Sequence, residues 1–341
     1  MPNENILITG ASGEIGHGLI AQLAEEGGAS VVALDLNPLD EALHPLCRKV
    51  VTGSILDGAL LDSLSEEFDF QIIYHLAAIL STSAERQPAK AHRVNVEGTV
   101  NVLQMALDQS RLQGEVVKVL YPSSLAVYGL PDLDAKSSAG AVPEDTCREP
   151  TTMYGANKLY CEHLGRYYTS HYRQLDDAQP LGGVDFRALR YPGLISAVTV
   201  PSGGTSDYLP EMLHHAAQNK LYACFVREDT RLPFMAMPDA VSALRGLEAA
   251  PRDTLTRTVY NVTAFNPSAG EFHRRVKDAF PGAQITFEPD LKRQAIVDTW
   301  PQDVDDTAAR ADWGWAPAYD LDHALDEYLV PTITERYRTT A

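Results

Sequence analysis

A short apolar run followed by three evenly spaced glycines is the feature that most limits how this chain can fold. Residues 5–9 are mostly apolar and end at Gly10, and Gly13 and Gly16 follow at a spacing of three residues. The pattern predicts a buried parallel strand, a tight turn and then a helix. Glycines at such a turn let a pyrophosphate approach the backbone, and the helix N-terminus offers free N–H groups. The segment therefore predicts a dinucleotide-binding loop.

A second apolar run, residues 31–34, ends in Asp35. An acidic side chain at the end of the second strand is placed to accept hydrogen bonds from the hydroxyl groups of the adenosine ribose. The next few residues contain no arginine, and an acid repels a 2′-phosphate. The sequence therefore predicts NAD rather than NADP as the cofactor.

The overall composition restricts the class of protein. The 341 residues are 45% hydrophobic and 22% charged, which is typical of a soluble globular chain. A net charge of −18 argues against nucleic acid or an anionic membrane as a partner. The four cysteines form no CxxC pair, and the adjacent His214 and His215 diverge on a helix and are expected at the surface. We therefore expect a cytoplasmic protein with no metal, no membrane span and no N-terminal targeting segment.

Strand-like and helical segments alternate through the first half of the chain. Strands are predicted at residues 5–9, 31–34, 49–52, 71–76, 116–121 and 184–189. The alternation predicts an α/β fold, a Rossmann-type doubly wound parallel sheet with helices on both faces. We expect residues 1–190 to form this NAD-binding domain. Residues 191–341 are expected to form mostly a smaller, less regular substrate-binding domain, with some segments returning to the Rossmann part.

Several other segments also carry structural predictions. Residues 85–110 have the pattern of one long helix, in which polar residues such as Asn95 would need buried partners. Residues 130–150 and 174–183 resemble insertions, and the first is expected to wall one side of the substrate cleft. In the second half, helices are expected at residues 207–219, 238–249, 267–280 and 321–334, and short strands at residues 221–225, 259–262 and 284–287.

Tyr154 and Lys158 carry the main catalytic signal. They are four residues apart on a predicted helix and share one face, so the ammonium group of Lys158 is expected to lower the pKa of the Tyr154 hydroxyl. A tyrosine tuned in this way can take a proton from a substrate hydroxyl group. Ser124 lies near the carboxyl end of the fifth strand, where ligands bind in such sheets, and can hold the substrate oxygen. Ser123 should point the opposite way if the segment is extended.

Together, the glycine loop, Asp35, Ser124, Tyr154 and Lys158 resemble the motif set of the extended short-chain dehydrogenase/reductase family, the NAD-dependent epimerases and dehydratases. Longer segments in the second half are similar to the short-chain type of L-threonine 3-dehydrogenase. These segments lie at residues 189–196, 201–208, 228–233, 260–264, 293–301 and 305–315. The resemblance covers nearly the whole chain.

The resemblance implies an NAD-dependent enzyme that oxidises the β-hydroxyl group of L-threonine to 2-amino-3-oxobutanoate. Tyr154 would act as the general base, Lys158 would stabilise the phenolate and hold the nicotinamide ribose, and Ser124 would hold the developing oxyanion. The residues implied to contact the amino acid are Ser81, Ser124, Tyr154, Thr205 and Trp300. Those implied to contact the cofactor are Gly10, Gly13, Glu14, Ile15, Gly16, Asp35, Ile55, Leu76, Ala77, Ala78, Asn95, Tyr154, Lys158, Tyr191, Gly193 and Ile195.

Other interpretations of the same scaffold stay open. A nucleotide-sugar epimerase or dehydratase similar to UDP-galactose 4-epimerase would need arginines or a helix N-terminus for its pyrophosphate, and Arg227, Arg231 and Arg293 are the candidates. A dehydrogenase of another β-hydroxy acid and a binding protein that senses NAD are further alternatives. The resemblance also implies a homodimer, in which the helices near residues 85–110 and 152–174 form a four-helix interface.

Overall fold

The centre of the protein is a parallel sheet of seven strands. The structure, a computed structural model, describes residues 4–175, 182–201 and 203–338. The strands of the central sheet and of the smaller sheets, in chain order, are β1 (Glu4–Thr9), β2 (Ala29–Asp35), β3 (Lys49–Thr52), β4 (Phe70–His75), β5 (Val116–Ser124), β6 (Ala141–Val142), β7 (Gly183–Tyr191), β8 (Gly193–Ile195), β9 (Tyr222–Cys224), β10 (Phe234–Ala236), β11 (Val259–Asn261), β12 (Ile285–Phe287) and β13 (Asp303–Val304). The central sheet has the order β11-β7-β5-β4-β1-β2-β3, and every neighbouring pair is parallel. This arrangement confirms the predicted Rossmann-type fold.

Helices cover both faces of this sheet, because successive side chains of its strands point to opposite sides. The helices are α1 (Glu14–Glu26), α2 (Gly58–Glu67), α3 (Ser81–Arg86), α4 (Pro88–His92), α5 (Gly98–Gln113), α6 (Leu133–Ser138), α7 (Met153–Ser170), α8 (Tyr208–Ala217), α9 (Met237–Ala249), α10 (Ala269–Ala279), α11 (Leu291–Asp298), α12 (Thr307–Trp313), α13 (Leu321–His323) and α14 (Val330–Arg338). Ile6 and Ile8 of β1 are buried in the same core as Leu19 of α1, whereas Leu7 belongs to the core on the other face with Leu103 of α5. The strand is therefore buried on both sides, as in doubly wound sheets.

The second half of the chain adds a third apolar core and small two-stranded parallel sheets. β8 pairs with β10, β9 pairs with β12, and β6 pairs with β13. Aromatic side chains contribute to this core, among them Tyr208, Phe234 and Phe272. In contrast, β11 returns to the central sheet beside β7, and α9 packs on α1. We propose a division of the chain at residue 190, with these two elements as the segments that return to the first part.

The prediction of a single helix over residues 85–110 is wrong, because α3, α4, a π-helical turn and α5 share this region. Gln87 has φ −137° and ψ 64°, outside the helical region, because the ring of the following Pro88 disfavours helical backbone there. The expectation that Asn95 needs partners is confirmed. Its side chain accepts a hydrogen bond from the Ile79 amide at 2.7 Å and donates to the Ile79 carbonyl at 3.0 Å. The π-helical turn therefore ties the helix to the loop after β4.

The predicted insertion over residues 130–150 contains regular structure. It holds α6 and β6, and β6 pairs with β13. The Leu130 amide donates to the Thr299 carbonyl at 2.8 Å, so the insertion packs beside the segment that carries Trp300. Most of the second predicted insertion, residues 176–181, lies outside the described residues, as does Ser202.

The prediction of a surface position is wrong for His214, which is buried with Nδ1 2.8 Å from the Tyr337 hydroxyl, because α14 packs over α8. No helix in the described part of the chain is long and apolar enough to cross a membrane. Among residues 4–175, 182–201 and 203–338, no group of three or more His, Cys, Asp or Glu side chains is arranged to hold a metal ion.

Gly165 lets α7 pack closely on β7. A Cβ atom at this position would lie 2.2 Å from the ring of Phe186, which is buried. We expect Gly165→Ala to lower the free energy of unfolding by about 1–3 kcal/mol, because over-packing a dense core forces its side chains to move. Urea unfolding measures the change. Gly58→Ala, at the start of α2, is the control, since a Cβ atom there would meet no described atom within 4 Å apart from its chain neighbours and its own helix backbone. Equal stabilities of the wild type and Gly165→Ala would contradict the close packing.

Candidate active site

The loop between β1 and α1 lies directly against the end of β4. Gly10 has φ +72°, and a Cβ atom there would lie 2.5 Å from the amide nitrogen of Ala77. Gly16 permits a similarly tight contact within the loop, because its Cβ would lie 2.4 Å from the Ala11 carbonyl oxygen. The structure thus brings Gly10 close to the predicted cofactor segment, residues 76–78, whereas Gly16 packs within the loop itself.

The N-terminal turn of α1 has free donors for an anion. Gly13 occupies the N-cap position, and no side chain caps the first turn, which begins with Glu14 and Ile15. The uncapped N–H groups and the helix dipole suit a pyrophosphate. Burial and the nearby Asp207 raise the pKa of Glu14 to about 7, which lessens the negative charge beside this turn at neutral pH. These residues fit the dinucleotide that the sequence predicts.

Asp35 is held in a fixed orientation at the end of β2. Its carboxylate accepts hydrogen bonds from the backbone amides of Ser12 at 3.0 Å and Asn37 at 2.8 Å. Because Ser12 belongs to the glycine loop, the acid is tied to the predicted pyrophosphate site. This geometry fits an acid that binds the ribose hydroxyl groups of a dinucleotide.

Other predicted cofactor residues are mostly buried. Ile55 belongs to the apolar core beneath α5. Tyr191 donates its hydroxyl hydrogen bond to the Ala240 carbonyl at 2.6 Å, so this hydroxyl is engaged within the protein. Gly193 and Ile195 lie in β8, and the Ile195 side chain is fully buried. For Gly193 and Ile195, any contact with a cofactor therefore has to come from the backbone.

Ser124, Tyr154 and Lys158 meet at the carboxyl end of β5. The Ser124 hydroxyl accepts a hydrogen bond from the Ala126 amide at 3.1 Å and lies near enough to the Tyr154 hydroxyl to lower its pKa. Lys158 Nζ lies 5.5 Å from the centre of the Tyr154 ring. Gly155 permits this approach, because a Cβ atom there would lie 2.0 Å from the Ala126 carbonyl oxygen. The three side chains named from the sequence are therefore close neighbours.

Burial opposes the predicted tuning of Tyr154. It raises the pKa of the Tyr154 hydroxyl to about 12, and the nearby Ser124 hydroxyl offsets only part of this increase. Burial also lowers the pKa of Lys158 to about 8. The Lys158 ammonium donates to the Pro122 carbonyl at 2.5 Å and lies 4.3 Å from the centre of the Tyr121 ring. The prediction that the tyrosine pKa is lowered is wrong for this structure, because desolvation is the larger effect.

Two predicted substrate residues that are far apart in the sequence are hydrogen-bonded to each other. The amide and hydroxyl groups of Thr205 both donate to the Ser81 hydroxyl, at 3.1 and 3.0 Å. Neither residue caps a helix, because Leu80 is the N-cap of α3 and Asp207 is the N-cap of α8. Trp300 is 3% exposed, and its indole Nε1 has no hydrogen-bond partner in the described chain. A buried donor without a partner is available to a ligand.

Sequence reasoning missed a buried ion pair beside the catalytic residues. Arg190 binds both carboxylate oxygens of Glu162, with Nε at 2.9 Å and Nη2 at 2.7 Å. Ser123 donates to the same carboxylate at 2.5 Å, so it is turned to a different partner from Ser124, as predicted. A signal was present in the sequence, since an arginine in a buried strand requires a buried partner.

The fold, the glycine loop and the similarities that follow together indicate an NAD-dependent oxidoreductase. The model of the NAD dependent epimerase/dehydratase family matches residues 6–263, and the chain belongs to this family. The matched range includes the glycine loop, Asp35, Ser124, Tyr154 and Lys158.

Among individual proteins, the chain is similar to L-threonine 3-dehydrogenases. It is 33% identical to the mitochondrial enzyme of Bos taurus over 327 residues, which are 96% of this chain and 82% of that protein. The holo form of a GalE-like L-threonine dehydrogenase from Cupriavidus necator has a TM-score of 0.84 at 36% identity, covering 98% of this chain and 99% of that one. A monomeric L-threonine 3-dehydrogenase from a metagenome database has the same TM-score and identity, covering 98% and 100%. A UDP-glucose 4-epimerase from Thermotoga maritima has a TM-score of 0.80 at 18% identity, covers 98% and 99%, and shows the shared fold alone.

Asp35→Asn should weaken the preference for NADH over NADPH. The substitution keeps an oxygen that can accept a backbone hydrogen bond but removes the charge that repels a 2′-phosphate. We expect the ratio of the two dissociation constants, measured by fluorescence titration, to fall by about tenfold. Asp62→Asn, at an exposed position of α2, makes the same charge change elsewhere and should leave the ratio unaltered. A ratio in Asp35→Asn equal to that of the wild type would show that Asp35 does not select the ribose.

Proposed function

We propose that this protein oxidises L-threonine at its β-carbon to 2-amino-3-oxobutanoate, with NAD+ as the acceptor. The proposal rests chiefly on the close arrangement of Ser124, Tyr154 and Lys158 at the end of β5. It is supported by the similarity of nearly the whole chain to L-threonine 3-dehydrogenases. The substrate is thus a small molecule with a secondary alcohol, and an amino acid is favoured.

The first turn of α1, Asp35 and the backbone of residues 76–78 would hold the dinucleotide. When bound, its nicotinamide ring supplies the acceptor for a hydride from the alcohol carbon. Tyr154 as phenolate takes the proton of the substrate hydroxyl group, and Ser124 donates a hydrogen bond to the same oxygen. Because burial raises the pKa of Tyr154 to about 12, the phenolate requires a positive charge nearby, which Lys158 supplies.

The amino-acid end of the substrate would be bound by groups from both halves of the chain. The hydrogen-bonded pair of Ser81 and Thr205 offers two hydroxyl groups at a buried position. Arg293 donates to the Gly204 carbonyl at 2.7 Å and so supports the loop before Thr205. The unpartnered indole N–H of Trp300 suits a carboxylate, which is a strong acceptor.

The alternative of a nucleotide-sugar substrate requires arginines that are free to bind a pyrophosphate. Arg227 binds both oxygens of Asp298, at 2.8 and 2.9 Å, and Arg231 pairs with Glu271 at 2.8 Å. Arg293 donates to a backbone carbonyl. Arg227 and Arg231 are therefore paired with acidic side chains, which favours the amino acid, whereas Nε of Arg293 is buried without a hydrogen-bond partner in the described chain.

We also propose a homodimer that uses the helices near residues 85–110 and 152–174. On α7, Tyr160 and Tyr167 are exposed, and aromatic side chains of this kind are enriched at interfaces. One similar protein is described as monomeric, so the family itself does not determine the assembly. A monomeric mass in solution would contradict this proposal. The cytoplasmic location stays a prediction.

The proposed reaction is tested by NADH formation from L-threonine and NAD+. We expect a measurable rate with this pair, and little or none when NADP+ or D-threonine replaces either one, because the site selects both. A measurable rate with another β-hydroxy acid and none with L-threonine would show that the substrate is that acid and not L-threonine. Tightly bound NAD that is not consumed, together with epimerisation of a nucleotide sugar, would contradict the oxidation.

Tyr154→Phe removes the proposed base but keeps the ring. We expect kcat to fall by about 10²–10⁴-fold while NADH binding is retained, as for the loss of a general base. Tyr160→Phe, on the exposed side of the same helix, is the matched control and should keep full activity. Similar kcat values for the wild type and Tyr154→Phe would exclude Tyr154 as the base.

The pH profile of the wild-type rate provides a second check on the same base. Below a pKa of about 12 for Tyr154, the phenolate fraction grows about tenfold per pH unit, so the rate should rise with pH. The pKa of Lys158, about 8, acts in the opposite direction, because deprotonation above this pH removes the charge that stabilises the phenolate. We therefore expect a rising limb that bends above pH 8. A flat profile over the whole range would contradict proton removal by Tyr154.

A further inference from the structure

A pocket lies between the C-terminal half of α7 and the segment that leads into β11. Its volume is about 340 Å³. None of the predicted cofactor, catalytic or substrate residues lines it. Its lining includes the five arginines Arg148, Arg166, Arg190, Arg252 and Arg257. The pocket is therefore distinct from the candidate active site and rich in guanidinium groups.

The acidic side chains that line this pocket already have partners within the protein. Arg190 binds both oxygens of Glu162. Asp145 accepts a hydrogen bond from Arg257 at 2.6 Å. Glu144 is buried and accepts from the backbone amide of Asn261 at 3.0 Å. Three acids and five arginines line the pocket, so its lining has a formal charge of +2 with the histidines neutral.

Two of the arginines are not engaged in this way. Arg148, from the loop after β6, and Arg166, from α7, are exposed, and neither makes a hydrogen bond or salt bridge within the described part of the chain. The two arginines come from different elements and converge on the same pocket.

The electrostatics of a neighbouring histidine support a positive local field. Burial, Arg166 and Arg148 all lower the pKa of His163, although the adjacent Glu162 acts against them. The chain as a whole carries a net charge of −18, so a positive pocket is not a consequence of its composition. The field is produced by residues that the fold brings together.

Guanidinium groups bind phosphate oxygens in a planar, often bidentate geometry, and a pocket of a few hundred Å³ is the usual size for a small ligand. We propose that this pocket binds a small phosphate-bearing anion through Arg148 and Arg166. This site is additional to the dinucleotide site and does not depend on the proposed oxidation of threonine.

The test is a calorimetric titration of orthophosphate and of pyrophosphate into the protein. NADH is kept at a saturating concentration so that the first turn of α1 is occupied, and the ionic strength is held constant. We expect saturable, one-to-one binding of at least one of these anions, and their relative affinities show whether the site takes one phosphate group or two. The double variant Arg148→Gln/Arg166→Gln should bind about tenfold more weakly or not at all.

Arg274→Gln, at an exposed position of α10, is the matched control for the loss of charge and should bind like the wild type. Urea unfolding and NADH binding verify that the double variant is folded. The proposal is overturned if neither anion binds saturably, or if Arg274→Gln weakens binding as much as the double variant. It is also overturned if saturating NADH abolishes the binding, since the anion then occupies the dinucleotide site.

Discussion

The buried ion pair between Glu162 and Arg190 determines how the elements of the candidate active site meet. Burying two charges is tolerated only when both are well paired, and here every nitrogen of the guanidinium group has a partner. The carboxylate comes from α7, the arginine from β7, and Ser123 of β5 adds a further hydrogen bond. Three elements are thereby held in one relative position, and removal of either charged side chain would leave the other buried without compensation.

The ion pair also fixes the positions of the candidate catalytic residues, because these residues lie at regular intervals from Ser123 on β5 and from Glu162 on α7. Since neighbouring side chains of a strand point to opposite sides, the hydrogen bond of Ser123 to Glu162 turns Ser124 towards Tyr154. On α7, Tyr154, Lys158 and Glu162 recur every four residues and therefore share one side of the helix. The ion pair thus fixes the serine through β5 and the tyrosine and lysine through α7.

Local patterns in the sequence were sufficient to predict the central strands, the glycine turn and the position of Asp35, because strand period and glycine spacing are properties of short segments. They were also sufficient to name Ser124, Tyr154 and Lys158. They were not sufficient where distant residues decide the outcome. The burial of His214 depends on α14, and the pKa of Tyr154 depends on desolvation. The spacing of residues in a sequence reveals that Lys158 is near Tyr154, but it does not reveal that Tyr154 is removed from water. The break at Gln87 has a local cause, because the ring of Pro88 disfavours helical backbone at the preceding residue.

α7 contributes one side to the candidate active site and another to the pocket lined by five arginines. Tyr154 and Lys158 face the end of β5, whereas His163 and Arg166 line the arginine-rich pocket. Glu162 belongs to both sides, because it lines the pocket and also binds Ser123 next to the catalytic serine. Both of its oxygens are already engaged by Arg190, so it cannot turn towards a new partner without breaking a buried pair. The Glu162–Arg190 pair therefore holds the inner side of α7 in place when an anion binds at the exposed arginines. Anion binding could shift Tyr154 only by breaking this buried pair.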